Sequence, residues 1–175
     1  MATIITGAAQ VLDSDYRYVK WAGKTKSGLP VIIELPVAFC NSNPDWTFEE
    51  KNDTTAEVEF EGCYEDENLE KDDLTEPWKL TLPDGLKAGN GEIVLDVGKF
   101  YIGTSETDAQ YVGITRGGGS FVVERNYREI NGDDDPGKVK GRVDKVEGRP
   151  KLKLAALQWL SKVSNLYACM QSVTE

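Results

Sequence analysis

Three stretches of this sequence carry groups able to do chemistry. Gly117-Gly118-Gly119 offers the bare backbone amides that cradle phosphates in nucleotide-binding loops. No Gly-Lys-Ser/Thr follows, however, and the next residues have the pattern of a strand rather than a helix, so a tight turn is the better reading. Asp133-Asp134-Asp135 offers carboxylates to a cation, but Asp-rich runs beside Asn131-Gly132 and Pro136-Gly137 are ordinarily turns. The spacing of a calcium-binding loop is absent. Lys138–Lys153 is basic enough to touch phosphate weakly. Carboxylate pairs abound, yet none sits in an apolar, pocket-like context that would raise one pKa above another, as glycoside hydrolysis requires.

Histidine is absent from all 175 residues. That removes the commonest general base, the Ser-His and Cys-His nucleophile systems and the usual zinc ligand. An enzyme is therefore the least expected class, and no cofactor or metal is expected. Cys40, Cys63 and Cys169 are odd in number and lack C-x-x-C spacing, which predicts reduced, buried thiols in a protein made in a cytoplasm.

The net charge of −10 is unevenly placed: residues 1–90 hold 8 Lys/Arg against 18 Asp/Glu, and residues 91–175 hold 12 against 12. A surface with that field repels polyanions and disfavours tight nucleic-acid binding, although DNA can slide past such a wall without sticking. Glu65–Glu76 concentrates the acid without periodicity. It reads as a solvated loop, a contact for a basic surface on a neighbouring subunit, or a metal site. Pairing of Lys138–Lys153 with Glu57–Glu76 of another subunit is the expectation for the basic stretch.

The elements that position these groups are mainly strands. The length suits one domain. No apolar run approaches the ~20 residues of a membrane span, and the opening MATIITGAAQVLDSD lacks the basic start of a signal peptide. Residues 1–15 read as an arm that can add an edge strand. Tyr16–Lys24 sets Tyr16, Tyr18 and Lys20 on one face and Arg17, Val19 and Trp21 on the other. Thr25–Gly28 is a turn into Leu29–Val37, where Pro30 and Pro36 predict an edge or a bulge. After the loop Cys40–Asp45, Trp46 and Phe48 alternate with polar residues, and Ala56–Cys63 alternates strictly, with Glu57, Glu59 and Glu61 on its outer face. Those three carboxylates must meet water, cations or a basic partner.

Trp78, Leu80 and Leu82 make a short strand, and residues 83–91 a linker. A second β block runs from 92 to 155, with short strands at Glu92–Gly103 and Gln110–Ile114 broken at Gly98 and Gly103. The glycine turn, the strand Ser120–Glu129, the acidic turn and basic strands through Val139, Val143, Val146, Leu152 and Leu154 complete it. From Ala156 the period changes. Ala156, Trp159, Leu160, Val163, Leu166, Tyr167 and Met170 fall at steps of three and four, predicting an amphipathic helix over 156–171 that covers one face of the sheet. Trp159→Ala is then expected to cost ~3–5 kcal/mol. The helix lacks the basic polar face that membrane binding needs.

The block GEIVLDVGKFYIG…YVGITRGGGSFVVERNYREINGDDDPGKVKGRVDKVEGRPKLKLAALQWLSKV resembles the first half of the tail tube (major tail) proteins of long-tailed bacteriophages and related prophages. The block SDYRYVKWAGKTKSGLPVIIELPVAFCNSNPDWTFEEKNDTTAEVEFEGCYEDE…EPWKL resembles their second half. The order is exchanged relative to those proteins, as in a circular permutation with Pro83–Gly91 closing the former ends.

The resemblance implies a β-sandwich or small β-barrel with one flanking helix, assembling as hexameric rings that stack into a tube. It implies a structural virion protein, made in the host bacterial cytoplasm, whose lumen passes double-stranded DNA without binding it specifically. Its partners would be further copies of itself and other tail proteins: tape measure, terminator and distal tail. The interface is expected at Arg125, Arg128, Asp133, Asp134, Asp135, Lys138, Lys140, Arg142 and Lys145, and at Asp66, Glu67, Asp72 and Asp73. Two other classes stay open: a tail terminator or decoration protein that closes one ring without polymerising, and a monomeric acidic module that binds a cation or carbohydrate.

Overall fold

A computed structural model describes residues 3–7, 9–25, 28, 30–43, 55–65, 69, 74–82, 95–130, 140–157 and 170–174. The protein is mainly β, with nine strands among the described residues: β1 (Thr3–Gly7), β2 (Arg17–Thr25), β3 (Pro30–Cys40), β4 (Thr55–Gly62), β5 (Lys79–Thr81), β6 (Leu95–Gly103), β7 (Gln110–Glu129), β8 (Val143–Leu157) and β9 (Met170–Thr174). A 3-10 turn at Asp13–Asp15 leads into β2.

All pairings are antiparallel, and six strands close on themselves in the order β2-β6-β7-β8-β4-β3, with β3 returning to β2. The result is a small barrel built from two three-stranded meanders. The first block of sequence supplies β2-β3-β4 and the second supplies β6-β7-β8. They join at two seams, β2 with β6 and β4 with β8. β5 adds to β3 along the edge that β4 leaves free, pairing Ile32, Ile33 and Glu34 with Thr81, Leu80 and Lys79.

Strict alternation fills the barrel. Val19 and Trp21 of β2, Val31, Ile33 and Leu35 of β3, Val58 and Phe60 of β4, Phe100 of β6, and Leu152 and Leu154 of β8 are fully buried. Phe60 and Phe100 meet across the interior with ring centroids 5.6 Å apart. Burial of side chains this size contributes ~1.5–3 kcal/mol each. The Trp21 indole lies over Gly23 and Gly98, which pair with each other across the β2–β6 seam, and a Cβ at either glycine would run into the ring. Its Nε1 donates to Thr115 Oγ1 at 3.4 Å, and Thr115 bridges to the Gly98 backbone. Gly98 is therefore a slot for an indole inside a continuous strand, where a break was predicted.

On the outside, buried Glu34 sits between Lys20 at 3.2 Å and Lys79 at 3.4 Å and accepts from Tyr18 Oη at 2.6 Å. Burial pushes its pKa up, but these donors and charges outweigh it and hold the carboxyl below its ordinary value. The row ties β2, β3 and β5 together.

Several expectations are corrected. The glycine run makes no turn: β7 is one strand of 20 residues through Gly117-Gly118-Gly119. Its register against β8 shifts between Thr115 and Gly119, so the glycines form a bulge that bends the strand instead of ending it. A Cβ on Gly119 would lie 2.7 Å from Leu154 Cδ2, so the bulge also needs a residue without a side chain there. Gly103 closes β6 beside the turn at residues 104–108.

The two ends of the predicted helix are strands. Ala156 and Leu157 complete β8, paired on one side to Ala56 and Thr55 and on the other to Thr115 and Ile114. Their backbone groups are taken up by ladders on both edges, which overrides the three-and-four spacing of the side chains. Met170 and Gln171 belong to β9, which pairs with β1 as a separate two-stranded ribbon, Thr3 opposite Thr174 and Gly7 opposite Met170. The arm at residues 1–15 thus contributes a strand, but to this ribbon and not to the barrel edge. Residues 158–169, including Trp159, lie outside the described residues, as do Trp46, Phe48 and the linker 83–91.

Pro30 and Pro36 do not mark an edge strand, since β3 is paired on both sides. The register of β2 against β3 slips between Val19–Leu35 and Arg17–Ala38, so Pro36 stands in a bulge, the other expectation for a strand proline.

Candidate assembly surface

β7 and β8 outrun the barrel. β4 follows β8 only as far as Lys151, and β6 follows β7 only as far as Ile114. Beyond those points, among the described residues, the two strands pair only with each other, as a two-stranded arm running to Glu129 and Val143. At the tip, Lys140 and Gly141 occupy a turn in which Gly141 takes a φ of +87°, and the Ile130 amide donates to the Arg142 carbonyl at 2.9 Å.

Alternation gives the arm two unlike faces. One is a zipper of opposite charges: Lys151 with Glu124 at 2.8 Å, Arg149 with Glu147 at 2.5 Å, Arg128 with Asp144 at 3.4 Å, and Asn126 donating to Glu147 at 3.0 Å. Such exposed pairs contribute ~0–1 kcal/mol each, so their effect is on register and solubility more than on stability. The other face carries Tyr127 and Val143 among charged Arg125, Lys145 and Glu129; Tyr127 and Val143 stand 58% and 41% exposed, and Val146, unpaired at a register bulge, 64%. Ile130, also exposed, extends the apolar set at the tip.

The base of the arm is held from the side. Glu76 accepts from Arg125 Nε at 3.0 Å and Nη2 at 2.9 Å, from Lys145 Nζ at 2.6 Å and from Trp78 Nε1 at 2.6 Å. The fork of Arg125 beside it, more than the other donors, holds the Glu76 carboxyl down at about 2. Trp78 in turn meets Phe121 of β7 edge-on, with centroids 5.5 Å apart.

The structure thus brings together Arg125 and Lys145 of the expected interface and engages both within one chain. Arg128 pairs with Asp144, and Lys140 and Arg142 lie exposed at the tip. Asp133, Asp134, Asp135, Lys138, Asp66, Glu67, Asp72 and Asp73 lie outside the described residues. The acidic face of β4 meets cations of its own chain: Glu59 and Glu61 stand opposite Lys153 and Lys151, Lys153 lies 3.6 Å from Glu57, and Arg149 lies 3.8 Å from Glu61. The charge complementarity read from the sequence is therefore met in part inside one subunit.

Sequence reasoning missed Glu76 as an individual residue, and it has Tyr127, Val143 and Val146 as the apolar positions of half-buried strands, whereas the structure leaves all three exposed. Elsewhere, a groove of about 220 Å³ opens beside the β6–β7 turn, lined by Arg17, Thr104, Asp108, Gln110 and Tyr111 among others. Its one carboxylate is engaged by Thr104 and Ser105, which close the turn. Among the described residues no group of three His, Cys, Asp or Glu side chains is arranged to hold a metal ion. No helix among them is long and apolar enough to cross a membrane.

No family model, curated protein or solved structure matches the chain.

Proposed function

We propose that this protein is a ring-forming subunit of a phage tail tube, stacking in rings through whose lumen double-stranded DNA passes. The observation that carries the reading is the arm: a two-stranded extension of a closed barrel, zipped by charge on one face, bearing exposed Tyr127 and Val143 beside charged residues on the other, and exposing Val146 at a bulge. A barrel that closes through the β2–β3 pairing does not need such an extension. A subunit that must grip its neighbours does, because an apolar patch rimmed by charge gives area and register together.

Two further observations support the reading. The two blocks that resemble tail tube proteins in exchanged order are also the two meanders of the barrel, and β1 pairs with β9, which sets Thr3 beside Thr174. A permuted chain needs both. The net charge of −10 suits a channel that DNA crosses without the salt-dependent trapping that a basic wall imposes. In this reading the protein resides in the virion, the ring is hexameric, and its partners are its own copies and the proteins that start and end the tail.

The test is negative-stain electron microscopy of the purified protein beside size-exclusion light scattering. Stacked rings or tubes are the expected result. Single closed rings that never stack would replace the tube with a terminator-type component, and a strict monomer over concentration and salt would overturn self-assembly by the isolated protein.

A further inference from the structure

Past Gly62, where β4 ends, the side of β8 that faces β3 has no strand beside it among the described residues. Residues 76–78 fill that position. A Cβ on Gly62 would meet Pro77 O at 2.8 Å, Pro150 Cγ at 2.7 Å and Leu35 Cδ2 at 3.4 Å, so strap, β8 and β3 converge there. One end of the strap is fixed to the barrel by the β5 ladder and by Lys79 on Glu34. Its other end is fixed to the arm by Glu76, whose carboxylate, 13% exposed, receives Arg125 and Lys145 from the two different strands of the arm. Gly148 permits this approach, since a Cβ there would sit 3.0 Å from Glu76 Oε1.

We propose that Glu76 and Trp78 form a latch that sets the direction in which the arm leaves the barrel and so presents it ready-ordered to a second copy of the chain. Two antiparallel strands alone hold their orientation poorly. Here a single carboxylate ties both of them to a segment rooted in β3, while Trp78, packed on Phe121 at the barrel end of β7 and donating to Glu76, holds that segment in place. An arm already ordered loses less entropy on docking, and that difference goes into affinity. The second half of the inference rests on the ring reading; the latch itself does not.

The experiment is amide hydrogen exchange on Glu76→Gln, which keeps the shape and removes the charge. Protection is expected to fall by about tenfold or more at arm amides such as Tyr127–Glu129 and Val143–Lys145, and to stay unchanged in β2, β3 and β6. An unchanged arm, or an equal loss throughout the barrel, overturns the latch. Trp78→Phe, which keeps the ring and removes the indole donor, should loosen the same amides to a smaller degree, and loosening elsewhere instead would also overturn it. Light scattering then gives the concentration at which rings form, expected to rise about tenfold in Glu76→Gln. A loosened arm with unchanged assembly overturns the role in docking alone. A wild-type protein that never assembles overturns the ring reading and with it that role, while exchange still decides whether the latch exists.

Discussion

Gly98→Ala puts one methyl group where the structure has no room. The added Cβ would run into the Trp21 ring, and the ring has nowhere to go: Gly23 lies under its other end, and its Nε1 is tied to Thr115. Trp21 and Thr115 are both fully buried, so rotating the indole forces the surrounding core to move and strands a hydroxyl that now bridges to the Gly98 backbone. Overpacking of a filled core costs ~1–3 kcal/mol, and breaking a buried hydrogen-bonded pair adds ~1–3 kcal/mol. A loss of ~2–6 kcal/mol is expected, which for a chain of this size lowers Tm by roughly 4–24 °C. Thermal melts followed by near-ultraviolet circular dichroism, which reads the packed indole, would measure it. The double variant Trp21→Phe/Gly98→Ala sharpens the test, since a smaller ring leaves space for the methyl. The two changes together should cost less than the sum of each alone. A Gly98→Ala protein melting within ~2 °C of wild type would refute the slot and make Gly98 an ordinary strand residue.

Acid should weaken the protein through Glu76. Its folded pKa of about 2 lies below the unfolded value of 4.5, so the stabilisation is fully present above about pH 5 and is lost as pH falls through that interval. Discounting for the solvent that reaches Arg125 and Lys145, about 2 kcal/mol is at stake. Urea midpoints at pH 6 and pH 3 should differ by more in wild type than in Glu76→Gln, and equal differences would refute the assignment. Tyr127→Ser/Val146→Ser should raise the concentration needed for assembly while leaving Tm within ~2 °C, because both side chains are exposed in the single subunit. A large fall in Tm would mean that they pack within the subunit.

The strand with the cleanest alternation, Ala56–Cys63, was legible because a half-buried strand prints its two-residue period directly on the sequence. Its Val58 and Phe60 are core, and of the three surroundings open to Glu57, Glu59 and Glu61, water, cations or a basic partner, the structure supplies cations of the same chain. The same rule put Val19 and Trp21 on one face of their strand, and that face lines the core. What the sequence concealed was non-local. Gly98 and Gly117–Gly119 look like punctuation in one dimension, and only an indole arriving from β2, or a bulge against β8, gives them another meaning. Ala156 opens a run with helical spacing, yet ladders on both edges decide its state. β9 depends on a partner some 170 residues away, which no local window contains. At the surface, the acidic and basic stretches were legible as complements, but pattern alone does not say whether complements meet in one chain or between two. Glu76, last in an acidic run, looked no different from its neighbours until the barrel put Arg125 and Lys145 on either side of it.

The arrangement of the meanders makes one strong claim about connectivity. Every barrel pairing either lies within β2-β3-β4 with β5, within β6-β7-β8, or at the seams β2–β6 and β4–β8. None depends on which block comes first along the chain. A gene re-ordered so that residues 92–175 precede residues 1–82, with the present ends joined by a short glycine-serine turn across the β1–β9 ribbon, should therefore fold to the same barrel. The ribbon already holds those ends side by side, so the new turn closes a short loop, and each doubling of its length costs only ~0.6 kcal/mol. The segment between Thr81 and Leu95 is opened in exchange. Far-ultraviolet circular dichroism should superimpose on that of the present chain, with Tm lowered by no more than ~5 °C, and exchange should protect the same strands. A re-ordered protein that expresses but shows a non-cooperative melt would refute the claim. It would mean that the link from β5 to β6 holds the two halves in register, rather than the seams themselves.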